Sequence, residues 1–293
     1  EGIFFFNYTS PEFNVNISQL PFWALSILFT WRCIKNDKLT DYILLGIFMG
    51  LGFLSKYLFV YLILSVTFLI LYFKINKKIK SLNFLITAPV FLLIIFPHLM
   101  WLVNNDFITI KYGLKRTGEV YNYSNHFIFP ALFIFKQFII LLPFFLMSFL
   151  LLKKISIKKF RLNEKMIFLI FTSVLPFLLI LLTSILLGAR IRTMWMAPFY
   201  LLAGVTFVSI FLKNIDLKKI KNFYLVFLFF FFISPTTYAI ISLTNDFKRT
   251  DYPGKEIARL VQDRWDENFS NEIKLVIGDE WYAGNLSYHL SSR

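Results

Sequence analysis

The chain has 293 residues, 57% of them hydrophobic and 20% aromatic, with a mean hydropathy of +0.64 and a formal net charge of +14. That is too apolar for a soluble domain of this length, and apolar runs of about 20 residues between short basic clusters define a polytopic α-helical membrane protein. The runs do not alternate as barrel strands do, the positives follow the positive-inside pattern rather than a nucleic-acid-binding face, and the single Cys33 excludes an internal disulfide and a cysteine-based metal site.

In chain order, the sequence predicts about eight transmembrane helices, over residues 17–31, 42–55, 57–73, 82–102, 127–152, 166–187, 194–212 and 223–243. Four linkers, 32–41, 74–81, 153–165 and 213–222, carry 17 of the 31 lysines and arginines and are expected to be cytoplasmic. The linkers on either side of Tyr42–Phe73 are both basic, so this run of 32 residues crosses the membrane an even number of times. It is a hairpin of two arms, each of about 16 residues and about 24 Å, turning at Ser55-Lys56-Tyr57. Lys56, the one charged residue in the run, falls at the extracytoplasmic face. An ammonium sunk in lipid is costly and marks a functional position.

The same parity puts residues 1–16, 103–126, 188–193 and the tail from about 244 outside, and the polar residues gather there. They are Glu12, Asn14 and Asn16; Tyr57 beside Lys56; His98, Trp101, Asn104, Asn105 and Asp106; Lys111, Lys115 and Arg116; and Arg190 and Arg192. Lys136 lies on the outer half of its span. The span middles are otherwise nearly free of ionisable groups, unlike the midplane sites of transporters. Cations from separate helix ends at one headgroup plane suit a lipid-linked phosphate, which Lys and Arg bind by charge-assisted hydrogen bonds. Lys111, Lys115 and Arg116 read as cations that snorkel to headgroups, and Trp101, Trp195, Tyr121 and Tyr123 as an interfacial belt. There is no P-loop, HExxH, GxSxG or dinucleotide fingerprint, and the three histidines make no metal cluster. No cofactor is indicated, and a divalent metal requirement stays open.

From residue 244 the chain changes character. A helix-like stretch, Gly254 to Trp265, precedes a short apolar strand, Ile273 to Ile277. This is the expected start of a soluble extracytoplasmic α/β or α+β domain. The domains are thus 1–243, all-α and membrane-embedded, and 244–293. The chain opens on Glu1 and stops at Arg293 soon after that strand, which reads as a piece cut at both ends. Heavy use of Phe, Ile, Lys and Asn points to an AT-rich, bacterial genome and an inner-membrane location.

Five stretches in order resemble one family. "GIFMGLGFLSKYLFVYLIL" is similar to the "GLxxGLxxLxKY" segment of the large GT-C membrane glycosyltransferases, of the protein O-mannosyltransferase and aminoarabinose transferase type. It is most similar to the bacterial glycosyltransferase family 39-like branch. "EFNVNISQLPFWAL" resembles the start of the preceding span, and "FPHLMWLVNNDFITIKYGLKR" a segment leading into the outer loop. "GARIRTMWMAPFYLLAGV" resembles the "RY-x-x-P-x-Y-x-L" helix, with Met194-Trp195-Met196 departing from Arg-Tyr, and "GDEWYAGNLSYHLSSR" resembles part of the C-terminal region. The resemblance implies a polyprenyl-phosphate-sugar donor and a lipid, glycan or protein acceptor at the extracytoplasmic face. It implies carrier-phosphate binding by Lys56, Arg190 and Arg192, with Lys136 as a further candidate. Tyr57, His98, Asn104, Asn105 and Asp106 are candidates for the sugar and acceptor site. The family's catalytic acid residue belongs to a first outer loop that would precede Glu1, so this chain alone is expected to be inactive. The alternative reading is a transporter or flippase of lipid-linked saccharide.

Overall fold

A computed structural model describes residues 2–7, 14–117, 122–154, 162–244 and 251–290. The chain divides into two compact units, Glu1–Ser234 and Pro235–Arg293. The first unit begins with α1 (Phe4–Asn7) and α2 (Val15–Ser18), followed by α3 (Leu20–Asn36), α4 (Leu39–Ser55), α5 (Val60–Ile75) and α6 (Thr87–Asn104). Then come α7 (Ile108–Thr117), α8 (Asn125–Leu150), α9 (Glu164–Leu169), α10 (Leu175–Leu187) and α11 (Ala203–Phe211). A final helix, α12 (Ile220–Thr244), begins in this unit. A helix satisfies its own backbone, so such apolar runs have no other open structure available in lipid.

Hydrogen bonds sort the helix ends into two groups. At one end the carboxylate of Asp37 accepts from the amides of Lys80 (2.9 Å) and Ser81 (2.8 Å), joining linker 32–41 to linker 74–81. Glu164 accepts from Lys35 and Lys78, each at 2.8 Å. The amide of Lys153 donates to the Asn214 carbonyl (2.9 Å) and that of Asp216 to Leu151 (2.8 Å), joining linker 153–165 to linker 213–222. The basic linkers therefore meet one another, as the parity argument requires. At the other end lie Lys56, His98, α7 and the segment 188–195.

Helices lie at all eight predicted positions, and among the described residues five or six of them have the length and apolarity of a full crossing. Five, Tyr57–Ile75, Asn83–Asn104, Asn125–Phe149, Glu164–Leu187 and Leu217–Thr244, are long and apolar enough to cross a membrane. The pair Thr193–Tyr200 and Ala203–Asn214, bent by 57°, makes a sixth if taken as one span. The first two predicted spans, α3 and α4, have only 17 residues each. At 1.5 Å per residue each covers about 26 Å, short of a typical hydrocarbon core.

Two glycines let α4 lie against α6. A Cβ on Gly46 would sit 2.7 Å from the Thr87 carbonyl oxygen, and one on Gly50 2.6 Å from Ile94 Cγ2. Small residues one turn apart bring helix backbones close where lipid offers no hydrophobic drive. The chain then breaks at Lys56, whose backbone is extended (φ −166°, ψ 132°), and a single 3₁₀ turn, Tyr57–Phe59, leads into α5. The Phe59 ring folds back onto Gly52, where a Cβ would be 2.2 Å away. Trp23 of α3, fully buried, meets the edge of Phe59 (5.2 Å between centroids) and packs on Phe199 (4.9 Å). These aromatic contacts pack α3 against the turn after Lys56 and against the segment Thr193–Tyr200.

In the second unit, α13 (Gly254–Asn268) covers the predicted helix and α14 (Glu280–His289) follows. Gly254 lies against the His289 ring, and Tyr252 meets Trp281 and Tyr282. The predicted strand Ile273–Ile277 does not form. Among the described residues it finds no partner strand, and Leu275 and Ile277 are exposed. An unpaired extended segment cannot satisfy its backbone within a ladder. The described residues are therefore helical, with one isolated bridge, Leu152–Ile215, rather than α/β or α+β.

Candidate functional site

Lys56 is half-buried at the break between α4 and α5. Its ammonium donates to Asn16 Oδ1 on α2 and lies over the Trp195 ring, 5.0 Å from the centroid. Asn16 is itself fixed. It is buried, and its amide donates to Asn14 Oδ1 (2.8 Å), the cap of α2. A cation over an indole face is attracted by the ring quadrupole. Burial, with the charge of Arg116 added, nevertheless pushes the Lys56 ammonium down to about 7.

The next residue ties this turn to two other elements. The Tyr57 hydroxyl is 2.6 Å from His98 Nε2 on α6 and 2.6 Å from Thr109 Oγ1 on α7. A phenol donates one proton, so it donates to one of these partners and accepts from the other. His98 stacks on Trp101 one turn on, with centroids 5.8 Å apart and planes 13° apart. Between α6 and α7 the chain turns sharply through Asp106 (φ 50°) and Phe107 (φ 55°), both left-handed. Asn105 donates its side-chain amide to the Trp101 carbonyl (2.7 Å). Asn104, Asn105 and Asp106 stand exposed on this turn. In the first unit, among the described residues, Asp106 is the acidic group at this end.

The far end of α7 meets the segment after α10. The Arg190 amide donates to the Thr117 carbonyl (2.9 Å), and the Arg192 carbonyl accepts from the Trp195 amide (3.1 Å). Both arginine side chains are exposed. The structure thus brings Lys56, Tyr57, His98 and the backbone of Arg190 to one end. It leaves Lys136 on the exposed face of α8, while its neighbour Gln137 turns inward and accepts from the Tyr200 hydroxyl (2.6 Å). Glu12 and Tyr121 lie outside the described residues. Asn16, Trp195 and Arg116 are the residues that sequence reasoning did not join to Lys56. Asn16 is 40 positions away and Trp195 farther, and no local pattern signals such a contact. Among the described residues, no group of three or more His, Cys, Asp or Glu side chains could hold a metal ion.

These features define, first, an integral membrane protein of bundled apolar helices with a cationic and aromatic site at one end. The comparison with known families then narrows the class. Residues 1–101, of 293, match the sequence model of the dolichyl-phosphate-mannose-protein mannosyltransferase family. The matched stretch contains Asn16, Lys56, Tyr57 and His98 and ends at Trp101, before α7. No curated protein and no solved structure matches the chain.

Proposed function

We propose that this chain belongs to a membrane glycosyltransferase that takes its sugar from a polyprenyl-phosphate carrier, at the extracytoplasmic end of the bundle. The observation that carries the reading is Lys56, an ammonium held half-buried by an amide oxygen and an indole face, inside the stretch similar to a lipid-phosphate-sugar transferase family. In the reaction an acceptor hydroxyl attacks the anomeric carbon. The bond from that carbon to the phosphate oxygen breaks, and the carrier phosphate leaves with the electron pair. Lys56, with Arg190 and Arg192 from the segment 188–193, stabilises the charge that develops on the phosphate. A carboxylate takes the hydroxyl proton. Tyr57, His98, Asn104, Asn105 and Asp106 line the side where sugar and acceptor would lie. The acceptor is a lipid, a glycan or a protein.

The test is binding of undecaprenyl phosphate to the full chain in nanodiscs. A charge-assisted hydrogen bond contributes roughly 1.5–3 kcal/mol, so Lys56→Gln should weaken binding by about tenfold or more. Undecaprenol, which lacks the phosphate, should bind both proteins alike. Binding of the phosphate within about twofold of wild type would remove Lys56 from the site.

A further inference from the structure

Three contacts close a ring around one end of the bundle. Tyr57, next to Lys56, holds Thr109 in the first turn of α7. Thr117, the last residue of α7, holds Arg190. Trp195, five residues after Arg190, returns to Lys56. The edge formed by α7 is about 12 Å long, from the eight helical rises between Thr109 and Thr117. Arg116 lies on this edge, one residue before the closing contact. Its guanidinium rests on its own helix, bonded to the Tyr112 hydroxyl and over the Tyr112 ring at 5.3 Å. It is exposed, yet near enough to Lys56 to repel its charge. Like charges brought near one another disfavour each other, and an anion between them reverses that.

We infer that Arg116 is a second binding residue for the carrier phosphate, brought opposite Lys56 by α7. This rests on the reading of the site as a lipid-phosphate site. Lys56 offers a point charge, while Arg116 offers a planar fork that grips two phosphate oxygens at once. The guanidinium exchanges Tyr112 for the phosphate. The chain turns through the left-handed pair Asp106-Phe107 into α7, and the Tyr57–Thr109 and Thr117–Arg190 contacts hold that helix, with Arg116 on it, at this end. Exposed Ile108, Ile110 and Leu114 on the same helix suit a position at the membrane surface, so the phosphate is that of a lipid rather than a free ion.

Binding of undecaprenyl phosphate to the full chain in nanodiscs decides the matter. Arg116→Gln should weaken it by about tenfold, Arg116→Lys should restore part of the loss, and Lys115→Gln, which removes a neighbouring charge, should change nothing. Undecaprenol should bind all four proteins equally, which separates a phosphate contact from a folding defect. Equal losses in Arg116→Gln and Lys115→Gln would overturn the inference in favour of diffuse charge. Arg116→Gln at wild-type affinity, with Lys56→Gln defective, would overturn it and leave the proposed function standing. Wild-type protein that binds no undecaprenyl phosphate would overturn the proposed function itself. Inorganic phosphate bound as tightly as the lipid, with the same dependence on Arg116, would overturn the lipid assignment.

Discussion

At Lys56 the fold keeps a charge that opposes folding. The ordinary lysine value is 10.5, and burial followed by Arg116 brings this one to about 7. Between those values the unfolded chain holds more protons than the folded one, so stability gained from this residue rises with pH from about 7 to 10.5. Below pH 7 the penalty is complete. The difference between wild type and Lys56→Met isolates this effect from other titrating groups. Lys56→Met should melt higher than wild type at pH 7, by an increment of about 1 kcal/mol or more, and the gap should close towards pH 10. The same variant should lose undecaprenyl phosphate. A lower melting temperature with an unchanged pH profile would make Lys56 a structural residue. A bound phosphate keeps the ammonium charged, so wild-type affinity should fall as pH rises above 7.

Among the elements, the hairpin of α4 and α5 was the most legible. One lysine in an apolar run, with basic linkers on both sides, located the break at the residue where the backbone becomes extended. The contact that positions α4 was not legible, because Gly46 and Gly50 carry no signal of which helix they meet. Gly46 faces a backbone oxygen, which cannot move aside as a side chain can. Gly46→Val should therefore destabilise the protein by about 1–3 kcal/mol, measured by thermal unfolding in detergent. A neutral outcome would mean that α4 and α6 do not pack so closely. The sequence places α7 only within an outer loop. Its ten residues are too polar and too few to announce a span, and tertiary contacts through Thr109 and Thr117 hold it. The strand expected at 273–277 failed for the converse reason. Local apolar character was present, but no partner strand lies among the described residues.

For the molecule as a whole, charge in the linkers predicted which helix ends share a side, because segregation of Lys and Arg governs every crossing at once. It could not predict which side chains at the opposite end would converge. Contacts from Asn16 and Trp195 to Lys56 depend on how several helices pack together. The ion pairs at the basic end mark topology more than they stabilise it. Glu164 and its partners are 36–57% exposed and screened by solvent, so Glu164→Gln should leave the unfolding midpoint nearly unchanged. The polar contacts within the spans, Tyr61 to Thr183 and Tyr200 to Gln137, are between neutral groups, which fits a lipid-phosphate site at one end better than a charged path across the bundle. The most direct measurement of that claim is photolabelling of the full chain in membranes. The probe is undecaprenyl phosphate with a photoreactive group beside the phosphate, and the labelled peptides are mapped by mass spectrometry. Labels on the segments containing Lys56-Tyr57, α7 and 188–195, displaced by unlabelled undecaprenyl phosphate, are the predicted result. Labels spread over the outward faces of the helices, or gathered at the basic linkers, would contradict it.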